Sequence, residues 1–564
     1  MNSLVILGIA AVVLLAAYML YGRWLAKTWG IDPKAPTPAQ RLSDGQDYVP
    51  TPKAVVFAHQ FSSIAGAGPV TGPIIAAMFG WVPVLIWLLV GGVFFGAVQD
   101  FSALYASVKK DGKTIGLIIE EYIGKTGRKL FLLFCWLFCL LVIAAFSDIV
   151  TNTFNGFGAD GAAITQNAAA GSISMLFILG AILFGLFIKL AKPRQGVQFV
   201  VGIGLFFAMM AAGIALPMVA TKATWTAIVF AYMFIAAVLP MWLLMQPRDY
   251  LSTFLLLGMV LAAVVGILVA RPDINLNAFN GFSLPSGQSI FPALFITIAC
   301  GAISGFHSMV SSGTSSKTIS NEKDMLFVGY GAMMVETLLA VLALCVAGAA
   351  ATGGVLPAGT PFQIFSGGVA GFLTMLGMNE HIAVCFMTMC VSALALTTLD
   401  SVGRIGRMSW QELVMGDSAD PKAMGPVRRF VTNKYVATVV TLLGGYLLSL
   451  GGYNNVWPLF GAANQLLGAL VLIAVAVFLR VTGRKGWMLY IPMGFMLVMT
   501  LTALIQAGVS LIKKLFITGG FIFAVDGLQL IMAVLLVALA LMVAGSCLKT
   551  LGEKKQASSK KEPA

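Results

Sequence analysis

Ala58-His59-Gln60-Phe61-Ser62-Ser63-Ile64-Ala65-Gly66-Ala67-Gly68-Pro69-Val70-Thr71-Gly72-Pro73 decides how this chain is read. The stretch lies inside an apolar segment of membrane-spanning length, yet it carries Gly66, Gly68, Gly72, Pro69 and Pro73. Proline removes a backbone donor and crowds the preceding turn, so the helical ladder breaks here. Backbone groups freed at membrane depth persist only where protein buries them or where they line a cavity. About 240 residues on, Cys300-Gly301-Ala302-Ile303-Ser304-Gly305-Phe306-His307-Ser308-Met309-Val310-Ser311-Ser312-Gly313 repeats the combination of glycine and hydroxyl groups. Interrupted spans in corresponding places of two halves point to the solute site of a secondary transporter. The predicted substrate contacts are therefore His59, Gln60, Ser62, Ser63, Gly66 and Gly68 from the first break. From the second they are Ser304, His307, Ser308, Ser311 and Ser312. Exposed half-helix N-termini at such breaks favour an anionic group. The competing reading is helix packing, because glycine, alanine and serine also gather where membrane helices touch.

Composition agrees with a membrane setting. Of 564 residues, 59% are hydrophobic and 10% charged, which leaves too little polar surface for a soluble chain of this length. Apolar runs of about 20 residues recur. They predict fifteen spans, at 2–22, 54–79, 81–108, 128–150, 171–191, 196–219, 224–245, 250–270, 290–316, 326–352, 381–400, 434–452, 457–480, 488–511 and 520–546. The first is read as a retained span, since it lacks a positive n-region and a small-residue cleavage site. With this count, 31 of the 35 Lys and Arg residues fall on one side, and Lys222, Arg271, Lys513 and Lys514 on the other. Basic loops mark the cytoplasmic face, so the N-terminus is expected outside and the C-terminus inside. The net charge of +13 is thus a topology signal, and no nucleic-acid partner is expected.

The first break runs inside to outside and the second outside to inside. That inversion predicts an all-α polytopic fold with a LeuT-like five-plus-five repeat and peripheral helices. The expected divisions are 1–53, a peripheral helix and loop; 54–223, the first repeat; 224–289, an inserted helix pair; 290–480, the second repeat; 481–548, two peripheral helices; and 549–564, a disordered basic tail. Gln246-Pro247-Arg248-Asp249-Tyr250 reads as a tight cytoplasmic turn, and 401–433, with Asp417, Asp420 and Pro421, as a cytoplasmic connection.

Ionisable groups inside a membrane are costly and mark function. Thr397-Thr398-Leu399-Asp400-Ser401 ends span 381–400, and Asp400 is the first choice for a coupling site, with Thr397, Thr398, Glu336 and Asp100 as further candidates. The alternative is an Asp400–Arg404 pair at i, i+4. His59 and His307 each sit at a break, where proton coupling or substrate contact is plausible. Asn454, Trp457, Pro458, Asn464 and Gln465 form another polar cluster. The seven cysteines read as small buried hydrophobes, and no metal site is expected from three scattered histidines. A phosphate-binding loop is missing and no hydrolase elbow surrounds Ser62 or Ser308, so neither an enzyme nor a cofactor is expected.

His59-Gln60-Phe61-Ser62-Ser63-Ile64-Ala65-Gly66-Ala67-Gly68-Pro69, Val98-Gln99-Asp100-Phe101, Gln246-Pro247-Arg248-Asp249-Tyr250-Leu251, Thr397-Thr398-Leu399-Asp400-Ser401 and Trp457-Pro458-Leu459-Phe460-Gly461 resemble the carbon starvation protein A (CstA) family over about residues 50–480. Gln99 stands where the resemblance leads one to expect histidine. The resemblance implies an uptake carrier of the bacterial cytoplasmic membrane, made during carbon limitation. It also implies short peptides or pyruvate as solute, a proton gradient as the drive, and kinship with the amino acid–polyamine–organocation group. The residues themselves leave open a proton or sodium as coupling ion. They also leave open two rivals, an uncoupled channel of the same fold and a membrane-embedded nutrient sensor.

Overall fold

The computed structural model describes the chain except residues 45–47, 159, 241–242, 416–424 and 553–564. The described residues are helical, with pairing between extended segments limited to isolated bridges. We number the main helices α1 Ser3–Trp29, α2 Lys53–Ile64, α3 Gly68–Phe79, α4 Trp81–Lys109, α5 Ile115–Ile123, α6 Lys125–Phe154, α7 Thr165–Ala191, α8 Gln195–Ala215, α9 Lys222–Val238 and α10 Met245–Ala270. They continue as α11 Ile290–Thr297, α12 Gly305–Gly313, α13 Leu326–Ala350, α14 Pro361–Met375, α15 Glu380–Met415, α16 Lys434–Ser449, α17 Tyr453–Val481, α18 Trp487–Thr518 and α19 Phe523–Gly552.

Among the described residues eleven helices are long and apolar enough to cross a membrane, or twelve if α2 and α3 count as one bent span. The other three expected spans fall on α9, on the pair α11 and α12, and on α16. A 17-residue helix such as α9 rises only about 25 Å. The apolar residues 239–245 that follow α9 made that segment read longer than the helix it contains.

Both expected breaks are present. In the first, Ala65 leaves the helical region at ψ 55°, and Pro69 opens the next helix at a position where its missing N–H costs nothing. The two halves meet at 44°. In the second, Ile298 turns out of the helix at ψ 69°, Gly301 takes φ +86°, and Ser304 is extended before α12 begins. The positive φ at Gly301 suits only a residue without a Cβ.

Three sequence expectations change. Gln246-Pro247-Arg248-Asp249-Tyr250 is not a turn but the first turns of α10, where Pro247 is tolerated. The connection 401–433 is largely helix, because α15 runs 36 residues to Met415; Asp400 therefore sits in the interior of a helix, not at its end. Asp417, Asp420 and Pro421, and the tail from 553, lie outside the described residues. Residues 361–375, outside the fifteen expected spans, form α14, started by a Thr360/Gln363 capping box with Pro361 at the first helical position.

Burial sorts core from periphery. The most apolar window of α17 is 100% buried, against 17% for α8. Helices α6, α13 and α15 are also largely buried. They surround the two breaks, while α1, α8 and α18 present much apolar surface outward. A helix that is apolar on every side must be enclosed by protein or lipid.

Candidate functional site

The two breaks touch. A Cβ added to Gly68 of the first would lie 2.5 Å from the Cys300 sulfur of the second, and one on Gly72 would lie 3.0 Å from the Thr297 carbonyl oxygen. Gly66 packs against Thr398 of α15 in the same way, at 2.5 Å from its Oγ1. Glycine is needed here for close approach rather than for an unusual φ.

The freed backbone of the second break is satisfied by side chains of neighbouring helices, as the low-dielectric interior demands. Trp457 Nε1 donates to the Thr297 carbonyl at 3.1 Å, and Gln465 Nε2 to Phe295 and Ile298 at 2.6 and 3.0 Å. Asn464 Nδ2 donates to Ala299 at 2.8 Å, while its Oδ1 accepts from the Phe306 amide at 3.2 Å. Thr337 Oγ1 donates to the Gly301 carbonyl at 2.8 Å, and Gln99 Nε2 to that of Ser304 at 2.7 Å. The polar cluster noted around Trp457 is thus the clamp of the second break. Gln99 has a definite task too, which an amide donor performs.

Between the breaks lies a small cavity. Ser63, Gly66, Gly68, Ser304 and Thr398 line it, as do Cys300 and Asn464. Phe138, Phe146, Phe306 and Phe460 give it aromatic walls. Of the eleven expected substrate contacts, Ser63, Gly66, Gly68 and Ser304 border this space. The others do not line it. Gln60 donates to Ser311 at 2.9 Å and accepts from Ser315 at 2.6 Å, tying α2 to the second broken helix. Ser62, Ser308 and Ser312 donate to carbonyls of their own helices, at 3.2, 2.6 and 2.7 Å. His59 Nε2 lies 3.3 Å from Thr314 Oγ1. The aromatic walls, from α6, α12 and α17, carried no sequence signal, since phenylalanine in a membrane helix reads as lipid-facing or core.

Two buried ionic clusters flank the cavity. In the first, Asp400 of α15 pairs with Arg248 of α10 and accepts from the Tyr232 hydroxyl of α9. Arg248 also donates to Tyr232 at 3.0 Å and to Asp249 at 2.9 Å. The Arg248 and Asp400 side chains are 1% and 0% exposed, so this is an interior pair. The Asp400–Arg404 alternative does not form. Arg404 and Arg407 instead cap the C-terminal carbonyls of α9, at Leu239 and Ala237 among others. Thr397 and Thr398 donate to Ala393 and Leu394 of their own helix.

In the second cluster His307 of α12 stands between two acids. Asp100 Oδ2 lies 3.0 Å from its Nδ1 and Glu336 Oε2 3.4 Å from its Nε2. All three are wholly buried. His307 therefore faces away from the cavity, into α4 and α13, and groups expected in separate roles share one site.

The family model described as carbon starvation protein CstA matches residues 2–356 and 348–503. The chain is 33% identical to the peptide transporter CstA of Escherichia coli (strain K12), covering 89% of this chain and 80% of that one. It is 31% identical to the pyruvate/proton symporter BtsT of the same strain, with 87% and 80% covered. A solved manganese transporter of Eremococcus coleocola overlays with a TM-score of 0.44 and 13% identity, over 90% of this chain and 98% of that one, too distant to carry any residue correspondence.

Proposed function

The chain belongs to the carbon starvation protein CstA family, whose relatives are named transporters and not enzymes, and from that premise we propose a proton-coupled importer of a small carboxylate nutrient in the bacterial cytoplasmic membrane. The observation that carries this reading is the cavity between the two broken helices. The N-termini of α3 and α12 border it through Gly68 and Ser304, and two partial positive charges favour a carboxylate. Serine, threonine and asparagine supply neutral donors. The space is confined, and its aromatic walls favour a compact acid such as pyruvate over a dipeptide.

The carrier alternates access by rocking one five-helix repeat, residues 54–223, against its inverted counterpart, residues 290–480. The pair 224–289 and the segments 1–53 and 481–548 brace it, with the N-terminus outside and the C-terminal tail, 549–564, inside. Two breaks in corresponding halves, meeting at one cavity, support this arrangement. The coupling proton acts at Asp400. Support comes from its place two residues past cavity-lining Thr398 and from its buried bond to Arg248, an ion pair that a proton can replace.

Uptake of labelled pyruvate by proteoliposomes tests the reading. Accumulation above the outside concentration, abolished by a protonophore and little reduced by excess dipeptide, is the expected result. Flux that only equilibrates favours a channel. Binding without flux favours a sensor. Strong dipeptide competition moves the substrate class to peptides.

Asn464→Ala is expected to lower pyruvate uptake at least tenfold. It leaves the Ala299 carbonyl and the Phe306 amide without partners, at about 1–3 kcal/mol for each buried group. Initial rates at normal surface expression check this. Wild-type rates count against a role for the clamp.

A further inference from the structure

Beyond transport, we infer that Cys300, His307 and Glu336 form a binding site for a thiophilic divalent cation, Zn²⁺ being the best match. Cys300 and His307 lie on the second broken segment, and only the fold brings Glu336 of α13 to them. The fold gathers one sulfur, one imidazole nitrogen and one carboxylate oxygen, all within 4.8 Å of one another. Ligand atoms around a tetrahedral zinc, with bonds of ~2.0–2.3 Å, lie about 3.3–3.8 Å apart. The Glu336 to His307 separation of 3.4 Å already fits, and the cysteine sulfur, within 4.8 Å of both, closes in on binding.

A second observation points to a missing ligand. His307 Nε2 and both carboxyl oxygens of Glu336 are buried without hydrogen-bond partners among the described residues. Unpaired polar atoms are expensive in an interior, and three of them meet here beside the Cys300 sulfur. Meanwhile Asp100 holds the other imidazole nitrogen at 3.0 Å. A carboxylate on the far nitrogen is the usual device for aiming a metal-binding histidine. Asn464 Nδ2, 3.8 Å from the Cys300 sulfur, steadies the third ligand.

The donor set selects the ion. Sulfur with nitrogen and one oxygen suits zinc, whereas magnesium and calcium want oxygen shells. The ligand charges balance as well: the Cys300 thiolate and the Glu336 carboxylate cancel Zn²⁺, and the Asp100 carboxylate is left paired with the imidazole N–H. Binding releases the thiol proton and any carried by Glu336 or His307 Nε2. Cys300 borders the cavity, which gives the ion its entry and the released protons their exit.

Metal-stripped protein carrying no polyhistidine tag, in detergent or nanodiscs, is titrated with Zn²⁺ and the bound ion counted by mass spectrometry. One ion per chain is expected, with affinity at least tenfold weaker in Cys300→Ser and in Glu336→Gln. Cd²⁺ gives an independent readout: an ultraviolet thiolate-to-metal band in the wild type that Cys300→Ser lacks. Thermal melts of metal-free Cys300→Ser, a near-isosteric change, matched to wild type establish that it folds. Substoichiometric zinc in the wild type, or a cadmium band surviving in Cys300→Ser, overturns the site. Neither measurement involves flux, so its failure is separate from failure of the transport reading.

Discussion

Proteoliposomes carrying Asp400→Asn are expected to exchange pyruvate across the bilayer yet fail to accumulate it, with net proton-driven uptake falling at least tenfold. Asparagine keeps the shape of the side chain and removes its charge and its titration. An alternating-access carrier that no longer binds its proton can still swap solute for solute. Accumulation at wild-type levels would remove Asp400 from the coupling role. A structural contribution accompanies the functional one. Asp400→Asn leaves the Arg248 guanidinium, 1% exposed, without its buried countercharge and with only the part-exposed Asp249 carboxylate beside it. Breaking one side of a buried pair costs about 3–5 kcal/mol, largely because the orphaned charge stays in the interior. The single variant should therefore melt well below wild type, and Arg248→Gln should do the same. Their combination should recover much of that loss, since it removes both charges together. The double variant separates coupling from folding: it should be stable and still not accumulate pyruvate.

That pair also marks where sequence reading reaches its limit. Asp400 stood out because an acid in an apolar run needs a reason. Arg248 looked like part of a cytoplasmic turn because Gln-Pro-Arg-Asp is the composition of one. Only packing of α10 against α15 turns the two into one interior contact. The breaks were legible for the opposite reason: proline and clustered glycine act on the local backbone, so Gly66, Gly68 and Pro69 announce themselves without any tertiary context. Side-chain direction was not legible. Ser62, Ser308 and Ser312 sit on the right segments and spend their hydroxyls on their own helices. His307 lies in the right segment and points at Asp100 and Glu336 rather than into the cavity. A rotation of about 100° per residue decides which side chains of a half-helix meet the solute, and no run of residue types records its phase.

Gly305→Ala is expected to be among the most damaging single methyl additions at the described glycines. A Cβ there would meet the Asn464 carbonyl oxygen, the Gly468 amide nitrogen at 2.5 Å and Leu467 Cβ at 2.5 Å. These are main-chain atoms and a short side-chain stem of α17, and no rotamer change relieves them. The apolar stretch of α17 is fully enclosed, so it has nowhere to retreat. Overpacking a well-filled core ordinarily costs about 1–3 kcal/mol. Here α12 must back away instead, and it carries Ser304 from the cavity wall and the Phe306 amide from Asn464 Oδ1. The expected result is a lower melting temperature together with at least a tenfold loss of uptake in the protein that does fold. Gly313→Ala, at the other end of the same helix, is the control: an added Cβ meets nothing within 4 Å, so stability and uptake should hold. The clamp faces the second break from other helices as well, for a Cβ on Gly461 would strike the Ile296 carbonyl oxygen and one on Gly96 that of Ala302. Three glycines on three helices, each admitting backbone against the same interrupted segment, add close packing to the polar side chains that clamp it. If Gly305→Ala melts and transports like wild type, the segment is loosely held, and the cavity it borders has no fixed shape with which to choose a solute.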